Sequence, residues 1–180
     1  MLEINIAPIE LWDEKNEEFI QIKGGKLVLE HSLVSMSKWE AKWMKPFLSS
    51  KEKTIEETID YVRFMTVSKN VDERVYEYLS DENIRAINEY INQPMTATWF
   101  HEEKGGGKSN EQITSELVYY WMICFNIPFE CQKWHFNRLM TLIRVCEEKN
   151  KPPKKMSKKE IMARNNRLND ERRKKLGTKG

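Results

Sequence analysis

The stretch Gly105-Gly106-Gly107-Lys108-Ser109 sets three glycines, a lysine and a hydroxyl ahead of a helical sequence, the residue types of a phosphate-binding loop. In such a loop successive backbone N–H groups wrap the phosphates, while the lysine and hydroxyl reach the terminal phosphate and Mg²⁺. The spacing G-x-x-x-x-G-K-[ST] puts the first required glycine at position 102, where Glu102 stands, with Glu103 beside it. Two carboxylates would then lie where a polyphosphate should. A simpler role accounts for the same residues. Ser109 and Gln112 form a capping box for the next helix, and the glycines give slack. The stretch reads as a flexible joint.

Metal and nucleophile chemistry receive the same test. Cys131 and His135 stand four apart, so one helix face could turn both toward an ion. Cys146 comes fifteen residues after Cys131, about 22 Å along a helix axis, and cannot join that site within the helix. Cys124 lies across the break at Pro128. Cys131 and His135 are also in phase with Leu139 and Leu142, as core positions are. His31, His101 and His135 are the only histidines, and none falls in a recognisable catalytic signature. His101-Glu102-Glu103 has acid–base residue types, but on a polar loop. The sequence therefore leads us to expect no catalytic, cofactor-binding or metal-ligating residue.

Two other groups of residues suit binding. Residues 149–180 hold thirteen Lys or Arg against three acids, a net of +10, whereas residues 1–148 carry −8. Lys154, Lys155, Lys158, Lys159, Arg164, Arg167, Arg172 and Arg173 could neutralise phosphates or meet an acidic protein. No aromatic follows Lys149, so base stacking has no platform, and nucleic acid is the less favoured partner. The second group is Trp39, Trp43 and Phe47, recurring at i, i+4, i+8. Such a face packs a core or anchors a partner helix.

The elements that must position these residues begin with strands. Glu18–Lys23 and Lys26–Ser32 flank Gly24-Gly25, which supplies the positive φ angles of a tight hairpin, and Leu2–Ile6 can add a third strand. Helical periodicity follows. Ser37 with Glu40 and Thr54 with Glu57 are capping boxes, and Pro46 stops the first helix. Asp72–Leu79 and Ser80–Gln93 read as shorter helices, with Pro94 closing the second. Asn110–Asn126 and Phe129–Lys149 are helices separated at Pro128, and Ser157 with Glu160 opens a basic helix to about Lys175. The expected fold is α+β and predominantly α-helical: a short N-terminal β-hairpin, a helical bundle and a basic C-terminal helical tail. Residues 1–150 form a single globular domain: a β-rich start over 1–33, a helical half over 34–100, a Gly-rich joint over 101–109 and a second helical half over 110–150. Residues 151–180 form the tail.

Three cysteines without framework spacing and an N-terminus lacking a basic region imply a reducing cytosol. The longest apolar run, Leu117–Phe125, falls short of the roughly 20 residues a membrane helix needs.

The run "YYWMICFNIPFECQKWHFNRLMTLIRVCEEKNKPPKKMSKKEIMARNNRLNDERRKKLGTKG" resembles the C-terminal part of small proteins encoded by tailed bacteriophages. The earlier "HSLVSMSKWEAKWMKPFLSSKEKTIEETIDYVRFMT" has the same character. Overall texture carries the resemblance, with no short signature, and it points to the tail-assembly chaperones or similar tail and baseplate assembly factors. It implies a non-enzymatic protein of the host cytoplasm that binds the helical tape-measure protein and recruits tail-tube subunits. It further implies self-association and, in many members, a longer frameshifted product. A virion component of the tail or baseplate, and a nucleic-acid-binding factor using the basic tail, are the alternatives.

Overall fold

A computed structural model describes residues 1–14, 16–50, 52–100, 112–152 and 157–177. The chain opens with four strands, β1 (Leu2–Ile6), β2 (Ile9–Asp13), β3 (Glu18–Ile22) and β4 (Gly25–Leu29). β1 pairs antiparallel with β4, and β2 with β3. Leu2 faces Leu29, Ile6 faces Gly25, Ile9 faces Ile22 and Asp13 faces Glu18, so one register runs through both ladders. The four strands are one long hairpin, interrupted where Ala7-Pro8 lies opposite Lys23-Gly24.

That interruption corrects the expected turn. The hairpin reverses between Asp13 and Glu18, where Glu17 takes the left-handed conformation (φ 51°), and Gly24-Gly25 instead sits at the break between β3 and β4, Gly25 opening β4. Pro8 has no N–H to give a ladder. A Cβ on Gly24 would stand 2.3 Å from the Ile6 carbonyl oxygen and 2.4 Å from the Pro8 nitrogen. Glycine is needed here for close backbone approach, not for a turn.

The break also turns the hairpin over. Ile4 and Ile6 face the core with Leu27 and Leu29. Beyond it, Ile9, Leu11, Ile20 and Ile22 face inward. Ile6 and Ile9 are an odd step apart, and on an unbroken strand they would point to opposite faces.

The helices are α1 (Leu33–Trp43), α2 (Ile55–Met65), α3 (Asp81–Asn92), α4 (Ser115–Cys124), α5 (Phe136–Asn150) and α6 (Lys158–Leu176), with 3-10 helices at Glu73–Tyr78 and Phe129–Lys133. The fold is thus α+β and predominantly helical. Thr54 with Glu57 and Ser157 with Glu160 form the capping boxes their spacing suggests. α1 starts earlier than expected: its box is Ser32 with Ser35, and it ends with Met44 in the left-handed conformation, two residues before Pro46. α4 begins at Ser115 under a Thr114 cap, with residues 112–114 outside the helix, so Gln112 is not in its first turn. Ser109 lies outside the described residues, as do the other Gly-rich joint positions, 101–109.

α1 is the hub of the core. It packs on α2 and α4, and Trp39, Leu33 and Met36 meet Tyr61, Met65, Val118, Met122 and Leu139 in one cluster. The outer edge of β4 is satisfied by the segment after α2: Glu30 N–H donates to the Met65 carbonyl, and Val67 N–H to the Val28 carbonyl, both at 2.8 Å. The chain divides into two compact units, residues 1–147 and 148–180. Among the described residues, no helix is long and apolar enough to cross a membrane.

Candidate functional site

The aromatic face expected to meet a partner is largely spent inside the fold. Trp39 is fully buried, and its Nε1–H donates to the Glu57 carbonyl at 2.8 Å. Phe47 lies beyond the end of α1, edge-on to Trp39 at 5.2 Å and stacked over Tyr61 at 4.2 Å. Lys53 covers the Phe47 ring at 4.2 Å and donates to the Phe47 carbonyl at 2.9 Å. Burial pushes its ammonium pKa down, against the pull of Glu57. Only Trp43 stays half-exposed, with Lys42 over its ring. The helical spacing misleads because α1 stops at Trp43, so Phe47 reaches the core from a loop. As a docking face the three residues do not stand together on the surface.

A second carboxylate explains why the loop can enter the core. Glu40 is buried, and its two oxygens accept from Phe47 N–H at 2.8 Å and Ser115 N–H at 2.7 Å. It therefore fixes the loop and also caps the N-terminus of α4, where a negative charge is favoured.

His31 and His135 sit in a buried polar seam. His31 Nδ1 and the Tyr61 hydroxyl share a 2.5 Å hydrogen bond, and the His31 and His135 rings are 5.0 Å apart. His135 Nε2–H donates to the Tyr90 carbonyl at 3.0 Å, while its Nδ1 accepts from Asn137 N–H at 3.3 Å. Those two bonds define a neutral imidazole. Tyr90 in turn donates to Glu30 at 2.6 Å. Burial, helped by the neighbouring His135, lowers the His31 pKa to about 3, and burial lowers that of His135. Both rings are committed to holding β4, α2, α3 and α5 together.

Cys131 and His135 do not share a helix. The chain leaves the 3-10 helix at Lys133, passes His135 in a bridge with Ser32, and only then enters α5. Burial raises the Cys131 thiol, which suits a core residue. No group of three His, Cys, Asp or Glu that could hold a metal occurs among the described residues. His101, Glu102, Glu103 and Lys108 lie outside them.

What the surface offers is different. At the distal end of the hairpin Trp12 and Phe19 face each other across β2 and β3, ring centroids 4.9 Å apart and edge to face. They are 52% and 67% exposed. Glu10, Glu14, Glu17 and Glu18 around them are all exposed. Sequence reasoning missed this pair because the glycines drew the turn to the wrong place. The signal was present: Ile9 and Leu11 mirror Ile20 and Ile22 about the polar stretch "DEKNEE", which leaves Trp12 and Phe19 on the opposite pleat.

The second surface is α6. None of its side chains is buried, and Lys158, Lys159, Arg164, Arg167, Arg172 and Arg173 all lie along it. Lys154 and Lys155 are outside the described residues. A hollow of about 580 Å³ also opens between α4 and α5, lined by Phe100, Trp121, Phe125, Met140 and Ile143, and the Arg144 guanidinium covers the Phe100 ring at 4.2 Å. Compared with protein-family models, with curated proteins and with solved structures, the chain matches none.

Proposed function

We propose that this chain is a non-enzymatic assembly protein that acts through protein–protein contacts, with the hairpin tip as its contact surface. The observation that carries the reading is the Trp12–Phe19 pair, two large aromatic side chains held in fixed geometry on an outward face. Aromatic side chains of this kind are the usual anchors of an interface. The histidines His31 and His135 are engaged in the fold, which also favours a binding role over acid–base work.

The resemblance to tail-assembly factors supplies the setting. In it the partners are the tape-measure and tail-tube proteins of a tailed bacteriophage, met in the host cytoplasm. Co-expression with fragments of the tape-measure protein tests this: a soluble complex is expected, weakened when Trp12 and Phe19 are both replaced by Ala. Capture unaffected by those substitutions would remove the tip from the reading, and failure of every fragment to co-purify would remove the chaperone role.

A second reading is nucleic-acid binding through α6, favoured by eight basic side chains on a helix with no buried face. It requires binding that falls steeply as salt rises and disappears when Arg164, Arg167, Arg172 and Arg173 become Glu.

A further inference from the structure

The hairpin tip and helix α6 are chemical complements. On the exposed pleat of the hairpin, the Trp12–Phe19 pair is bracketed by Glu10 on one side and by the loop residues Glu14 and Glu17 on the other. Gln21 Nε2 donates to Glu10 at 2.8 Å and so holds that carboxylate beside the rings. Residues 9–22 contain five acids and one lysine. Aromatic faces flanked by carboxylates attract Lys and Arg twice over, through the ring quadrupole and through the opposite charge.

α6 has the matching features. Ile161, Arg164, Leu168, Arg172 and Lys175 follow at steps of three and four, so apolar and cationic side chains share one face. Ile161 and Leu168 are exposed there. The helix spans 19 residues, about 28 Å. In proteins most helical stability comes from packing an amphipathic face, and α6 buries no residue of its own. Docking would supply what the helix lacks.

We propose that the hairpin tip of one copy of this chain receives helix α6 of a second copy, Ile161 and Leu168 covering the Trp12 and Phe19 rings while Arg164, Arg172 and Lys175 meet Glu10, Glu14 and Glu17. This rests on the reading of the tip as a contact surface and names its occupant. Because tip and helix are different patches of one chain, the contact is heterologous and passes from copy to copy unless its rotation closes a ring.

Sedimentation velocity on the full chain, over a hundredfold concentration range (about 1–100 µM) at ~50 mM and ~500 mM salt, tests the proposal. Association that grows with concentration and weakens in high salt is expected. Reversing the tip (Glu14→Lys with Glu17→Lys, both outside the strands) or the helix (Arg164→Glu with Arg172→Glu) should weaken it about tenfold or more. Mixing the two reversed variants should restore association, since each supplies the half the other has lost. Trp12→Tyr should keep the contact and Trp12→Ala should lose it. A chain that stays monomeric, association untouched by either reversal, or a mixture that fails to associate would overturn second-copy docking, as would ordering of α6 that does not depend on concentration. A monomeric chain that still loses its captured partner on Trp12→Ala refutes this inference alone. Capture unaffected by Trp12→Ala refutes the reading of the tip itself.

Discussion

Glu40 shows how one side chain sets the geometry of two segments. Its oxygens take the backbone N–H of Phe47 and of Ser115, so removing the carboxylate leaves two buried donors without partners. Glu40→Ala should cost about 2–6 kcal/mol, given roughly 1–3 for each unsatisfied group. Glu40→Gln keeps one acceptor and should cost less. Urea denaturation of the two variants gives the order, and equal stability of Glu40→Ala and the parent would show that water or relaxation satisfies those donors. His31 makes a second prediction at this scale. Its folded pKa is lowered to about 3, whereas the unfolded value is near 6.5, so the unfolded chain binds the extra proton as the medium turns acidic. Stability from the buried neutral ring is present above about pH 6.5 and is lost as pH falls, at about 1.4 kcal/mol per unit. Denaturation between pH 7 and 5 should show at least that slope, since the His135 pKa is lowered in the same sense, and His31→Phe should reduce it. A parent profile already flat over that interval would mean the seam admits the proton.

At the scale of elements, the sequence is readable where a local signal and the tertiary fold agree. Thr54 with Glu57 and Ser157 with Glu160 cap α2 and α6 where their spacing places them. Glu40 has the same spacing from Ser37, but its carboxylate serves Phe47 and Ser115, and Ser32 with Ser35 caps α1 instead. Nothing local distinguishes the two uses of a glutamate. The candidate aromatic face failed similarly, since periodicity cannot report that the left-handed Met44 ends α1 before Phe47. Gly24-Gly25 is the sharpest case, because the pair has the composition of a turn yet lies at the break between β3 and β4 on one arm of the hairpin. The two glycines should therefore respond differently. A Cβ at Gly24 meets three backbone atoms of the facing Ile6–Pro8 segment, whereas one at Gly25 meets nothing within 4 Å. Gly24→Ala should destabilise by about 1–3 kcal/mol, as overpacking against backbone does, and Gly25→Ala should be close to neutral. Thermal melts of the pair decide it. Equal costs would place the close approach elsewhere than at the Ala7-Pro8 break.

Across the whole molecule the contrast is between a body whose helices share one core and a helix that buries nothing. α1 contributes Leu33, Met36 and Trp39 to a cluster joined by α2, α3, α4 and α5, so its amides should open only with the global unfolding of that core. α6 has no buried residue, and its helicity must come from the Ser157–Glu160 box, the basic last turn and propensity, each a small contribution. Its amides should therefore exchange with solvent far sooner than those of α1, and heating should remove its helix gradually before the cooperative melt of the body. Hydrogen exchange read by mass spectrometry separates the two, since peptides from residues 33–43 and 158–176 do not overlap. If the basic helix is taken up by a neighbouring copy, its protection has to rise with protein concentration at low salt and collapse when salt is added, while α1 remains unchanged by both. Protection of α6 equal to that of α1 in a dilute monomer would mean the helix draws support from within its own chain, and the charge asymmetry between residues 1–148 and 149–180 would then be a feature of folding and not of association.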